Sequence, residues 1–380
     1  MTTTHTPIPF NKPFMTGREL FNIAEAHFNG MLAGDGPFTH RCHKKLEAVT
    51  GARKVLLTHS CTAALEMAAL LVPLGPDDEV IVPSFTFVST VNAFVLRGAK
   101  PVFVDIRPDT LNIDERLIEE RITERTRAIF VVHYAGVVCD MDAVSMIARR
   151  HGLVVVEDAA QAMMSTYRAR HAGTLGDIGA VSFHETKNVI SGEGGALYLN
   201  RPDDIQRAEV VREKGTNRSQ FFRGEVDKYT WCEPGSSYLP GELVAAFLWA
   251  QLQEVEAITA RRMAIWRRYH DALARLESQG ALRRPVIPPE CEHNGHMYYV
   301  LLPDLPARTR FINWLKSDSI HAVFHYVPLH SSPFGSQFAP GLDLPVTNDM
   351  ADRLVRLPMW IGIEPHLDRV LDRINSFFLQ

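Results

Sequence analysis

The sequence predicts an α/β fold, a mostly parallel seven-stranded sheet followed by a smaller C-terminal α+β domain. Three observations predict it. Between residues 54 and 200, short valine-rich runs alternate with amphipathic stretches. Those runs lack the polar alternation of a half-exposed sheet, as expected of strands covered on both faces. After residue 200 the rhythm gives way to one long helical stretch and then to a sparser mix of strands and helices.

The strands are expected at 54–58, 79–83, 101–105, 128–133, 153–158, 180–183 and 196–199. Helices are expected between them at 63–72, 114–122 and 142–150, the first apolar enough to be well buried. Gly75-Pro76-Asp77-Asp78 and Gly98-Ala99-Lys100-Pro101 mark turns ahead of two strands. Apolar residues at helical spacing, among them Leu243, Ala246, Phe247 and Ala250, predict one long helix over 241–273. Strands at 297–302 and 322–325 and helices at 307–317 and 349–354 complete the smaller unit. The division falls at 1–255 for the large domain, with its N-terminal arm, and 256–380 for the small one. A chain of 380 residues, 46% hydrophobic, is long enough for both cores.

Composition narrows the function. A net charge of -4 and a pI near 6.5 carry no nucleic-acid signature. The cysteines (Cys42, Cys61, Cys139, Cys232, Cys291) are odd in number and show no CxxC spacing. That argues against a zinc site or a disulfide framework and for a reducing, cytoplasmic setting. The first residues, Met1 to Pro7, lack a basic segment followed by an apolar one, so no secretory signal is expected. No run approaches the roughly 20 apolar residues of a membrane span.

The chemistry centres on Lys187, in Ser182-Phe183-His184-Glu185-Thr186-Lys187-Asn188, with Gly192-Glu193-Gly194-Gly195 close behind. It lies just past the buried strand expected at 180–183. Lysines mostly sit on polar surfaces. One at the end of a core strand is either a side chain reaching out to water or a Schiff-base nucleophile made less basic by its surroundings.

Four other segments bear on that choice. Ser60-Cys61-Thr62-Ala63 opens a helix, where small residues let backbone N–H groups reach a phosphate, or where Ser60 or Thr62 simply caps. Asp158 and Gln161 follow a buried strand; Asp158 can hold a protonated pyridine nitrogen or cap a helix, and Gln161 can reach a phenolic oxygen. Phe87, or alternatively Phe85, can stack on a planar cofactor after the strand at 79–83, or belong to the core. Ser182 can share the phosphate with the Ser60 loop. The order is phosphate loop, aromatic, acid and lysine, all at strand ends of one sheet.

These segments resemble the DegT/DnrJ/StrS sugar aminotransferases, which have the type I fold of pyridoxal-phosphate enzymes. The similarity spans nearly the whole chain and includes 34–39, 60–66, 83–90, 94–100, 133–136, 157–161, 182–188, 213–222 and 323–330. The stretch from Lys214 to Trp231 is most similar to the branch serving enterobacterial common antigen and related lipopolysaccharide sugars.

The resemblance implies that Lys187 carries pyridoxal 5'-phosphate covalently and moves protons. It implies that Asp158 holds the ring nitrogen, Gln161 lies by the phenolic oxygen and Phe87 stacks on the ring. Thr62, Ala63 and Ser182 would hold the phosphate. Ser237 would reach that phosphate from the other subunit of a homodimer with shared active sites, where many relatives use asparagine. His330 would stand at the sugar-binding mouth. No metal is implied.

The implied reaction moves the amine of L-glutamate to dTDP-4-dehydro-6-deoxy-D-glucose, giving dTDP-4-amino-4,6-dideoxy-D-galactose. The alternatives are a 3-keto or differently configured nucleotide sugar, or a phosphate-binding sensor without turnover. Family members that remove a hydroxyl instead carry histidine at the lysine position, so Lys187 argues for amine transfer.

Overall fold

The computed structural model describes residues 6–379. Most of the segment used to read the N-terminus, Met1 to His5, lies outside the described residues, as does Gln380.

The large sheet is built from β1 (Lys54–Thr58), β2 (Glu79–Pro83), β3 (Lys100–Val104), β4 (Thr126–Val132) and β5 (Val154–Asp158). After a short hairpin, β6 (Thr166–Tyr167) and β7 (Arg170–His171), it is completed by β8 (Ile178–Ser182) and β9 (Gly195–Leu199). The seven strands lie in the order β1-β9-β8-β5-β4-β2-β3. β9 pairs antiparallel with both of its neighbours, and every other pairing is parallel. Every residue of β2, β8 and β9 is buried, which explains their unbroken apolar character.

The helices of the large unit are α1 (Glu19–Phe28), α2 (Pro37–Thr50), α3 (Cys61–Leu71), α4 (Val88–Val95), α5 (Met141–His151), α6 (Pro202–Arg212), the short α7 (Arg218–Phe222) and α8 (Glu242–Gln253). Ala64 and Leu65 of α3, Phe94 of α4 and Val211 of α6 pack in one apolar cluster on one side of the sheet. Phe38 of α2, Val144 of α5 and Leu248 of α8 pack in another. The sheet is thus covered on both faces.

The C-terminal part contains α9 (Val255–Ala272), α10 (Ala274–Ser278), the two-residue β10 (Cys291–Glu292) paired with β6, β11 (Tyr298–Leu301), α11 (Leu305–Ser317), α12 (Pro345–Arg353), β12 (Leu354–Leu357) and α13 (Leu367–Phe377). β11 and β12 pair antiparallel. Trp266, Tyr269, Tyr298, Phe311, Val355 and Ile374 form a core of their own. Ile8 joins this core, so the N-terminal arm is fastened to the C-terminal part.

Four expectations need correction. The helix over 114–122 is two 3₁₀ turns, Glu115–Leu117 and Glu119–Arg121. The Asp114 carboxylate accepts from both the backbone and the guanidinium of Arg116, a local bond that competes with a longer α-helix. The helix over 241–273 is broken at Glu254, where φ is -111° and ψ is 15°. Leu248 of α8 packs with the sheet, whereas Trp266 of α9 packs in the C-terminal core, and the break serves both. The strand at 322–325 shrinks to a single bridge between Val323 and Arg356. The helix at 349–354 lies earlier, at Pro345–Arg353, and the residues after it form β12.

Among the described residues no helix is long and apolar enough to cross a membrane.

Candidate active site

The carboxyl ends of β1, β2, β5 and β8 converge on one cavity of about 340 Å³. This is where open α/β sheets hold ligands. Thr62, Phe87, Asp158, Gln161, Ser182 and Lys187 all line it.

β1 leads into the Ser60 turn and α3. Ser60 is extended and caps the helix, its Oγ accepting the Ala63 N–H at 3.1 Å. The first intrahelical bond runs from the Ala64 N–H to the Ser60 carbonyl, so the N–H groups of Cys61 and Thr62 precede it. Thr62 Oγ1 donates to Ser89 Oγ at 2.9 Å, which ties the starts of α3 and α4 together. Gly195 in β9 permits this turn to lie close: a Cβ there would stand 2.5 Å from the Ser60 carbonyl. Ser182 faces Gly195 across the ladder and lines the same end of the cavity. A helix N-terminus with three nearby hydroxyls suits an anion.

β5 ends at Asp158, which is 6% exposed. Its Oδ2 accepts from Thr90 Oγ1 at 2.7 Å and its Oδ1 from the Ala160 N–H at 3.0 Å. Thr90 in turn bonds to Thr86 at 2.9 Å. Two fixed donors therefore hold the carboxylate in one orientation. Thr90→Val keeps the shape of the side chain and removes one of them. It is expected to weaken cofactor retention about tenfold, read by equilibrium dialysis of the cofactor.

The Gln161 amide is oriented by its partners. Its Oε1 accepts the Ala135 N–H at 2.7 Å, so its Nε2 must face the cavity side, where it donates to Tyr326 Oη at 2.9 Å. Ala135 holds a left-handed backbone, φ 56°, which aims that N–H. Phe87 is 58% exposed and borders the cavity, whereas Phe85 is 1% exposed and packs edge-on against Tyr134 and Tyr326. Of the two aromatics, Phe87 is the one free to meet a ligand.

Lys187 leaves β8 through a turn closed by its own N–H on the His184 carbonyl at 2.9 Å. Its side chain is partly open to the cavity, yet burial still pushes the amine below the ordinary lysine range. Nearby Cys61 and Asp158 act in the opposite direction, and Arg356 acts with the burial. The amine is thereby made easier to neutralise without being isolated from its counter-charge.

Three expected residues do not line this cavity. Ala63 is buried and its N–H is taken by the Ser60 cap. Ser237 is exposed, bridged to Glu213, and away from the cavity of its own chain. His330 is 3% exposed, and its ring bonds to Ser84 Oγ at 2.7 Å, pinning the segment after Pro328 to the end of β2. His325 and Tyr326 take the place at the wall expected of His330. Phe10, His296 and Arg356 also reach the wall and were not singled out by sequence. Among the described residues no cluster of histidine, cysteine or acidic side chains could hold a metal ion.

A family model for the DegT/DnrJ/EryC1/StrS aminotransferases matches residues 15–375. The chain belongs to that family.

It is 33% identical over 379 residues to the spore coat polysaccharide biosynthesis protein SpsC of Bacillus subtilis, covering 97% of this chain and 96% of that one. Among solved structures it is similar to the aminotransferase TlmJ of Streptoalloteichus hindustanus, with a TM-score of 0.90, 28% identity and coverage of 98% and 99%. It is also similar to Spr1654 of Streptococcus pneumoniae in its PLP-form, with a TM-score of 0.89, 25% identity and coverage of 98% of each chain. The enzyme is a pyridoxal-phosphate-dependent sugar aminotransferase with the type I fold.

The cavity fits that cofactor. An oriented carboxylate, an oriented amide donor, an exposed aromatic ring, a hydroxyl-lined helix N-terminus and a lysine with lowered basicity surround a space of suitable size.

Proposed function

We propose that the enzyme moves the amine of L-glutamate to C4 of dTDP-4-dehydro-6-deoxy-D-glucose, releasing 2-oxoglutarate and dTDP-4-amino-4,6-dideoxy-D-galactose. The single observation that carries the amine-transfer chemistry is Lys187 beside Asp158 on one cavity wall. The choice of sugar rests on the stretch from Lys214 to Trp231.

When bound, pyridoxal phosphate supplies the electron sink that stabilises negative charge on the reacting carbon. The protein's own groups do the rest. Lys187 anchors the cofactor, and once freed its neutral amine takes the proton from the glutamate carbon that bears nitrogen. It later delivers a proton to C4 of the sugar, so the side it occupies sets the configuration there. Asp158, fixed by Thr90 and the Ala160 N–H, would keep the ring nitrogen protonated. Gln161 Nε2 would donate toward the phenolic oxygen, and Phe87 would lie against the ring. The N–H groups of Cys61 and Thr62, with the hydroxyls of Thr62 and Ser182, would hold the phosphate.

We assign Ser237 to the site of a second copy in a homodimer, because it is exposed and removed from its own cavity. We place the domain division at 255/256, next to the helix break. We assign the enzyme to the cytoplasm, where its free cysteines and charged nucleotide-sugar substrate belong.

The test is to incubate the purified enzyme with L-glutamate and dTDP-4-dehydro-6-deoxy-D-glucose and determine the product by NMR. An axial amine at C4 is expected. An equatorial amine, or turnover confined to a 3-keto sugar, would contradict the assignment. No turnover of this sugar would contradict it as well.

A further inference from the structure

One cation of the cavity wall has no role in the reading above. Arg356 is a lone charge in the apolar run Leu354-Val355-Arg356-Leu357 of β12. It lies on the same face of the strand as Leu354, which packs with Phe85, Tyr134 and Tyr299. Its guanidinium sits 4.5 Å from the centre of the Phe10 ring, and one Nη donates to His325 Nε2. Its Nε is buried without an acceptor. No carboxylate forms an ion pair with it among the described residues.

The buried arginines differ in their partners. Arg262 is spent on the carbonyls of Gly295 and His296, and Arg212, though one Nη also lacks an acceptor, is paired with the Asp35 carboxylate. A half-buried guanidinium on a cavity wall, with its Nε short of an acceptor and no carboxylate paired with it, suits an anionic partner that arrives from outside.

We infer that Arg356 binds the α-carboxylate of the amino donor, making it the residue that distinguishes the amino-acid half-reaction from the sugar half-reaction. The inference rests on the aminotransferase reading and names the donor subsite of that site.

Position selects this anion. Arg356 lines the cavity together with Lys187 and lies close enough to oppose protonation of its amine. A carboxylate on the carbon that Lys187 deprotonates must lie one bond from that carbon. The cofactor phosphate would be held at the hydroxyl-lined end, at Thr62 and Ser182. Arg356 belongs to the wall of Tyr326, which bonds to Gln161. The sugar's diphosphate is on C1, across the hexose ring from the reacting C4, so it is not the anion one bond from the carbon that Lys187 serves. A planar guanidinium offers the paired N–H groups that a carboxylate accepts.

His325 supports the fork. It accepts from Arg356 at Nε2, so its proton is on Nδ1, directed to Tyr134 Oη at 3.3 Å. Burial, then Arg356, pushes its pKa down to about 2, so it stays a neutral acceptor and adds no second charge. The sugar brings no carboxylate to C4, so the second half-reaction has no use for the fork.

The test uses cofactor-loaded enzyme and follows each half-reaction in a single turnover by cofactor absorbance. One is driven by L-glutamate and the other by dTDP-4-amino-4,6-dideoxy-D-galactose. Arg356→Gln is expected to slow the glutamate half-reaction about 100-fold, with at most about a threefold loss for the amino sugar. Arg356→Lys, which keeps the charge and loses the fork, is expected to recover about tenfold. Glutarate, a dicarboxylate that cannot react, is expected to bind wild-type enzyme in calorimetry and not Arg356→Gln.

Equal losses in both half-reactions, or glutarate binding unchanged by Arg356→Gln, would overturn the inference. If wild-type enzyme reacted with glutamate and not with the amino sugar, the proposed sugar would fail, while the glutamate rates and glutarate binding would still decide the role of Arg356.

Discussion

Lys187→Ala is expected to lower single-turnover amine transfer by about 10⁴-fold in each direction, the upper end for loss of a general acid–base, with the covalent attachment lost as well. The protein should remain folded. The Lys187 amine makes no hydrogen bond among the described residues, and the turn that carries it is closed by backbone bonds, Lys187 to His184 and Glu185 to Gly192. Cofactor should still bind, because Thr62, Ser182 and Asp158 are untouched. Comparing rate with cofactor occupancy therefore separates chemistry from binding. A variant that holds cofactor and transfers amine at the normal rate would remove Lys187 from the mechanism.

Asp158→Asn is expected to have the next largest effect, a loss of about 10²- to 10³-fold in amine transfer. The amide keeps one oxygen, for Thr90 Oγ1, and sets its NH2 against the Ala160 N–H, so one of the two donors that orient the side chain loses its acceptor. The negative charge disappears as well. Without it the cofactor nitrogen loses the partner that keeps it protonated, and its capacity to hold electrons falls. There is a second consequence. Asp158 raises the Lys187 amine's affinity for protons, so its removal adds to the effect of burial and leaves that amine still less basic. Proton transfer to and from the substrate carbon should shift its pH dependence downward. A pH–rate profile of the glutamate half-reaction checks this: the limb assigned to the lysine should move to lower pH in the variant. A profile displaced only in height would show that the two groups are not electrically coupled.

Much of the fold was legible because burial leaves a coarse mark. Runs such as Val154-Val155-Val156 announce a strand covered on both sides, and each of the seven expected runs overlaps a strand of the sheet. Strand direction leaves no such mark: nothing in Gly195–Leu199 says that it runs against its neighbours. The break at Glu254 was also hidden, since apolar spacing continues through it while the packing partner changes.

The site was legible where its residues sit at strand ends. Asp158, Ser182 and Lys187 follow buried runs, and Thr62 and Phe87 open the helices after them. The wall from the C-terminal part was harder. His325 and His330 stand in one irregular segment without periodicity, so spacing could not say which of them faces the cavity. The hydrogen bond to Ser84 draws His330 into the interior, and the ring of His325 stacks on Tyr326 at the wall. Arg356 did carry a signal, an isolated charge among Leu354, Val355 and Leu357, of the kind that located Lys187. Thr90 carried a fainter one, lying three residues after Phe87 and so a turn along the same helix.

The central claim is that Lys187 is the covalent anchor of the cofactor, and the most direct measurement is borohydride reduction of the holoenzyme followed by peptide mass mapping. The account predicts cofactor mass on a single peptide, fixed to Lys187, and its loss when glutamate is added before the reductant. Cofactor fixed to another lysine, or no fixation in enzyme that retains bound cofactor, would contradict it.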